Sequence, residues 1–190
     1  MTLYINGCVR EKSRTNELAQ TVLSYSKDSI EEVGLGDAGI MPLDRQTLAY
    51  RDQCLANNHL DDSIFRYAHQ FANADTIVIA APYWDLLFPA NIRTYLEHIC
   101  VSGVTFRYGE DGIPQTMCRA KRLIYVTTAG GPIFGPHLGY EYVKSLCSAF
   151  FGINDVRMFK AEGLDIFGAD VSAIMQNAKN EISRIMCDVQ

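Results

Sequence analysis

Five short apolar runs punctuate the chain, and between them apolar residues recur at helical spacing. The first run is Thr2-Leu3-Tyr4-Ile5-Asn6, ending at Gly7, and the second spans 29–35 with Ile30, Val33 and Leu35 as its apolar members. The third is Thr76 to Ala81, the fourth is KRLIYVTT over 121–128, and the fifth spans 153–161 with Val156, Met158 and Phe159. The third run has a β-branched centre and no internal polar group, which suits a strand covered on both faces, and the fourth repeats that pattern. Helical spacing appears in Leu18, Ala19, Val22 and Leu23, and again in Ile64, Tyr67, Ala68 and Phe71 within 62–73. It returns in Ile92, Tyr95, Leu96 and Ile99 behind Pro89, in a helix headed by Pro136, and over 169–187. Strands alternating with helices predict one α/β domain, 1–190, with a five-stranded parallel sheet, helices on both faces and right-handed crossovers. The stretch from Gly36 to Asp62 gives no clear period and is open to a short helix, a lid or a subunit contact.

With strand order 2-1-3-4-5, the first and third strands are neighbours whose connections leave to opposite faces, and ligands bind at such a switch point beyond the carboxyl ends of the strands. Three loops then converge there, and their chemistries differ. The loop 8–15 is short, polar and basic and leads into a helix, so backbone N–H groups, the helix dipole, the hydroxyls of Ser13 and Thr15, and Arg10, Lys12 or Arg14 suit an anion. Plain helix capping by Ser13 or Thr15 is the rival reading. The loop after the third strand, Pro82-Tyr83-Trp84-Asp85-Leu86-Leu87-Phe88, is aromatic and apolar apart from one carboxylate and reads as a ligand wall. The loop Thr128-Ala129-Gly130-Gly131 lets a flat ligand approach the main chain, although a plain turn also explains two adjacent glycines. Phe106 and Tyr108, ahead of an exposed turn or hairpin over 109–114, either lean over a bound aromatic ligand or pack their loop against the body. A phosphate joined to a flat heteroaromatic ring, as in flavin mononucleotide (FMN), satisfies all three loops. The first loop carries neither GxxxxGK[ST] nor GxGxxG, which argues against a nucleoside triphosphatase and a dinucleotide pocket.

Composition narrows this further. An apolar content of 48% belongs to an ordinary globular chain, and a net charge of −5 disfavours nucleic-acid binding. No apolar run approaches the ~18 residues of a membrane span, and the start lacks a signal-like apolar core, so a cytoplasmic protein is expected. The six cysteines (8, 54, 100, 118, 147 and 187) show no CxxC spacing and read as reduced structural thiols. The histidines show no metal-ligand spacing, and no metal is expected.

The run APYWDLLFPANIRTYLEHICVSGVTFRY resembles the P-x-[YW]-N-F-x-[IL]-P, helix, G-x-T-F-x-Y segment of flavodoxin-like NAD(P)H:quinone oxidoreductases and FMN-dependent NADH azoreductases. Thr127 to Gly131 is similar to that family's T-[ST]-x-G-G, Ser13-Arg14-Thr15 resembles its S-x-[ST] phosphate contact, and Ile153, Asp155, Val156, Ala161, Glu162 and Gly163 match its closing pattern. The resemblance implies a flavodoxin-like fold, with FMN phosphate held by Ser13, Arg14 and Thr15 and Arg10 as an extra contact. Pro82, Tyr83, Trp84 and Asp85 would run beside the ring and ribityl chain, and Thr128, Ala129, Gly130 and Gly131 would take the pyrimidine edge. It also implies a homodimer that takes two electrons from NADH or NADPH and passes them in ping-pong fashion to a small aromatic acceptor: a quinone, azo or nitroaromatic compound. Asp85 stands where the family usually has Asn, Leu86 where it has an aromatic residue, and Ala129 replaces a frequent Arg or polar residue. A flavodoxin-type electron carrier and an NADPH-dependent FMN reductase are the alternatives.

Overall fold

Successive residues of a strand point to opposite faces, and here that alternation divides the apolar core into two layers. The computed structural model describes residues 1–187. Its strands are β1 (Thr2–Asn6), β2 (Ile30–Gly34), β3 (Thr76–Ala80), β4 (Phe106–Tyr108), β5 (Pro114–Thr116), β6 (Arg122–Thr128) and β7 (Asp155–Ala161). Its helices are α1 (Arg14–Leu23), α2 (Arg45–Ala56), α3 (Arg66–Asn73), α4 (Ala90–Ile99), α5 (Leu138–Leu146) and α6 (Val171–Cys187). The hairpin β4–β5 stands apart, and the other five strands form a parallel sheet in the order β2-β1-β3-β6-β7. Counting those five alone, the order is 2-1-3-4-5, the order expected of a flavodoxin-like fold.

Tyr4, Val78, Ile124, Val126 and Phe159 face α1 and α6, meeting Leu18, Val22, Met175, Ala178 and Ile182. Their strand neighbours Leu3, Ile5, Ile77, Ile79, Leu123 and Tyr125 face the other way, toward Phe71, Ile92, Tyr95, Leu96 and Val143 of α3, α4 and α5. At one edge, β2 exposes Ile30, Glu31 and Glu32, with Glu31 accepting from Gln70 and Glu32 from Asn6.

The stretch 36–62 contains a full helix, α2, opened by Asp44, whose carboxylate accepts the N–H of Thr47 at 2.7 Å. Only Cys54 of α2 is buried, in a small cluster with Phe65, Ala68, Val101 and Val104. The helix expected over 62–73 opens as a 3-10 turn, Ser63–Phe65, because the Asp62 carboxylate accepts the N–H of Ile64 at 2.9 Å. The helix expected from Pro136 starts at Leu138, which is 48% exposed, and its cap is His137. It runs on into a π-helical turn, Cys147–Phe151, closed by Gly152 in the left-handed region at φ 63°.

All six cysteines are unpaired. Burial pushes the thiols of Cys118 and Cys147 up to about 12 and that of Cys100 to about 11, which keeps them protonated and unreactive. Among the described residues no helix is long and apolar enough to cross a membrane.

Candidate functional site

Main-chain pairing continues past the strand ends and holds the loops at one edge of the sheet. Gly7 donates to Ala80 O at 2.9 Å, Ala81 to Val126 O at 2.9 Å, Tyr83 to Thr128 O at 3.0 Å and Ala129 to Ala161 O at 2.9 Å. Gly7 has no room for a side chain, since an added Cβ would lie 2.5 Å from Ile92 Cδ1 and 2.9 Å from Ala80 O. Strand ends and loops therefore bound one crevice of about 240 Å³, lined by Val9, Arg10, Lys12, Ser13, Arg14, Thr15, Pro82, Tyr83, Trp84, Thr128, Ala129, Gly130, Leu164 and Asp165. A larger cavity, about 300 Å³, lies at the opposite end of the sheet, among Thr2, Val22, Ser26, Thr76, Arg122 and Met186.

The cationic end combines Arg10, Lys12 and Ser13 with the amino terminus of α1, whose first turn presents N–H groups lacking partners within the helix. Ser13 is the N-cap, its Oγ accepting from Asn16 N at 3.3 Å. Capping engages the oxygen as acceptor and leaves the hydroxyl proton to donate, so the cap is compatible with an anion contact. Thr15 is almost fully buried, and its hydroxyl meets that of Thr128 at 2.6 Å. That bond ties the first loop to the end of β6. Arg14 reaches across the crevice, donating to Leu164 O and pairing with Asp165, each at 3.0 Å.

Of the aromatic loop, only Pro82, Tyr83 and Trp84 line the crevice. Trp84 and Leu87 exchange two main-chain hydrogen bonds around Asp85 (φ 49°) and Leu86 (φ 70°), a tight two-residue turn with both central residues left-handed. Asp85 suits that conformation as Asn does, whereas Leu86 is strained there. Both sit at the tip of the turn, and neither is among the lining residues. Phe88 is buried against Tyr142 and Leu87 packs on the core, so the wall read over 83–88 reduces to its first two aromatics. Arg10 lies over the Trp84 ring, 5.9 Å from its centre.

Behind Tyr83 stands His137, with ring centres 4.9 Å apart. His137 is buried, accepts Tyr140 N at 3.0 Å through Nδ1, and meets Thr127 Oγ1 through Nε2 at 3.4 Å. Burial is the main influence holding its pKa below the ordinary histidine value.

In the glycine loop, Gly130 lines the crevice while Gly131 lies outside the lining. Phe106 is buried between Phe150 and Tyr108, and the hairpin is pinned by Thr116 donating to Phe151 O at 2.6 Å. Phe106 therefore packs its loop against the body and does not line this crevice. Tyr108, 57% exposed, lies outside it as well. Sequence reasoning missed the loop after β7. Gly163, Leu164 and Asp165 donate main-chain N–H groups to Gly131, Ala129 and Gly130, which brings Leu164 and Asp165 into the wall.

The donor set fits FMN. Cations and helix N–H groups stand at one end, aromatic rings on one flank, and on the other is a glycine where an added Cβ would collide, 2.3 Å from Asp165 Oδ2.

Comparison with known proteins places this geometry. A family described as having a flavodoxin-like fold matches residues 1–186. An FMN-dependent NADH:quinone oxidoreductase of Caldicellulosiruptor bescii is 38% identical over 197 residues, 96% of each chain, and one of Coprothermobacter proteolyticus is 30% identical with the same coverage. A further such enzyme, from Clostridium acetobutylicum, is 39% identical over 62% of this chain and 60% of its own. The crystal structure of an FMN-dependent NADH-azoreductase of Bacillus anthracis in complex with FMN superposes with a TM-score of 0.81 over 99% of this chain and 98% of that one. Its identity of 21% speaks for the fold. Sheet order, crevice and near-complete sequence match agree that the chain belongs to the flavodoxin-like fold family, together with the FMN-dependent NADH:quinone oxidoreductases of those bacteria.

Proposed function

We propose that this protein is an FMN-dependent NADH oxidoreductase that reduces quinones, azo compounds or nitroaromatics by two-electron transfer in a ping-pong cycle. One observation carries the reading: three loops distant in sequence form a single crevice, cationic at one end and aromatic along one side. The names of the full-length relatives support the same chemistry, and nothing in the crevice favours a bare electron carrier.

When bound, FMN supplies the hydride chemistry that protein side chains lack. The chain's own residues bind and orient. Arg10, Lys12, Ser13 and the start of α1 would hold the phosphate, and removing Arg10 from the Trp84 ring would open that face to a flat molecule. Tyr83, braced from behind by His137, and Trp84 would flank the ring system, with Thr128, Ala129 and Gly130 along its edge. A small aromatic acceptor would then stack where the nicotinamide had been, one after the other on the same face.

We also propose that the protein works as a homodimer. Exposed apolar side chains on and near the loops bounding the crevice, among them Leu86 (62%), Phe134 (84%) and Phe167 (104%), support that reading. Unpaired thiols accord with a reducing, cytoplasmic setting.

The test is direct. The purified protein should be yellow, or become so with FMN, and NADH added without air should bleach it. Initial rates against NADH at several quinone concentrations should give parallel double-reciprocal lines. A colourless protein that takes up no FMN sinks the proposal, and converging lines sink the ping-pong cycle.

A further inference from the structure

We propose that Asp165 recognises the flavin ring itself, its carboxylate accepting the imide N–H of the pyrimidine edge. The inference rests on the FMN reading above and adds to it a side chain from outside the three loops of that reading.

The oxidised ring offers one N–H donor, at that edge, so the protein must present an acceptor. The main-chain carbonyls there are already engaged. Thr128 O accepts from Tyr83, Ala129 O from Leu164, Gly130 O from Asp165 and Gly131 O from Gly163, at 3.0, 3.2, 2.9 and 3.3 Å. Each of these carbonyls therefore already spends one lone pair on the fold, and a side-chain carboxylate is the acceptor there with oxygens to spare. Asp165 supplies one. Its Oδ1 is fixed by Arg14 NH2 at 3.0 Å. Its Oδ2 lies so close to Gly130 that a Cβ built there would be 2.3 Å away, and both residues line the crevice.

Arg14 thereby acquires a function distinct from phosphate binding. It stands at the first position of α1, yet it reaches Leu164 O and Asp165, and so joins the anion-binding loop to the loop after β7. Arg14 is a positioning residue acting through Asp165. Gly130 serves the same end, because any side chain there would displace the carboxylate.

The experiment titrates the apo-protein with FMN and with 3-methyl-FMN, in which a methyl group replaces the imide hydrogen, following the loss of flavin fluorescence. In the wild type the methyl analogue should bind about tenfold more weakly, the weight of a hydrogen bond to a charged group. Asp165→Leu keeps the bulk and removes the acceptor, and Asp165→Ala removes both; circular dichroism establishes that each is folded. In both variants the ratio of the two dissociation constants should fall to near one, and any change in repulsion toward the phosphate cancels in that ratio. Retention of the wild-type ratio in Asp165→Leu overturns the proposal, since bulk alone would then explain the discrimination. Equal binding of the two flavins by the wild type overturns it too. Failure of the wild type to bind FMN at all would instead strike the functional reading beneath it.

Discussion

The two ends of one sheet carry cavities of similar size and opposite character. At the amino ends of the strands, about 300 Å³ is floored by Val22, Leu23, Val78, Ile124 and Met186, and the Arg122 in its wall is paired with Asp155 at 2.6 Å. At the carboxyl ends, about 240 Å³ gathers Arg10 and Lys12, the Arg14–Asp165 pair, the amino terminus of α1 and two aromatic rings. In a parallel sheet the helix after each strand begins at the strand's carboxyl edge, so that edge collects positive helix ends and loop donors. The proposed site is marked by convergent donors and not by volume.

Substitutions can break or sharpen that contrast. The largest effect is expected from Gly7→Ala, whose methyl group would press on Ile92 and on the Ala80 carbonyl and so displace the first loop. Overpacking of this kind costs about 1–3 kcal/mol, to be read by urea denaturation, with FMN affinity falling alongside. Next, Thr15→Val removes the hydroxyl pair with Thr128 and should weaken FMN binding roughly tenfold, the loss of one buried hydrogen bond. Trp84→Ala should lower kcat/KM for the aromatic acceptor by about fivefold, in line with the worth of one aromatic contact.

A pH experiment follows. The folded imidazole of His137 binds a proton more weakly than in the unfolded chain, where its pKa is about 6.5. As pH falls through that value the unfolded state takes up the proton first, so stability drops, and the drop levels off below the folded pKa. Stability measured from pH 7.5 downward should show this loss, and His137→Asn should remove it. A wild-type profile that is flat, or that rises as pH falls, would show that the imidazole is not held neutral. The smallest effect is expected at the opposite cavity: Ser26→Leu should change the FMN dissociation constant by less than about twofold, the scale of a substitution away from the site. A large effect there would abolish the distinction between the two ends.

Much of this was legible in the chain. Apolar runs such as Thr76–Ala80 announce buried strands because neither face meets water, and alternation with helices announces that they pair in parallel, whereas their order came from the family resemblance. That the basic loop 8–15 and Tyr83–Trp84 would meet at one crevice was legible because charge and aromaticity sit next to strand ends. Other features leave no such trace. The α2 helix buries only Cys54, so no apolar stripe betrays it. Phe106 looked available from its hairpin because nothing local shows that Phe150, far along the chain, covers it. Asp165 reaches the crevice only through hydrogen bonds to Ala129, Gly130 and Gly131, a tertiary fact with no local signal.

The outermost strand has a consequence for assembly. β2 displays Glu31 and Glu32 on opposite sides of an uncovered rim. A second backbone aligning there would bring its own chain against negative charge above and below, with no side on which to escape it. Open-ended polymerisation by sheet extension is thereby discouraged, and association between copies is steered toward surfaces formed by connecting segments.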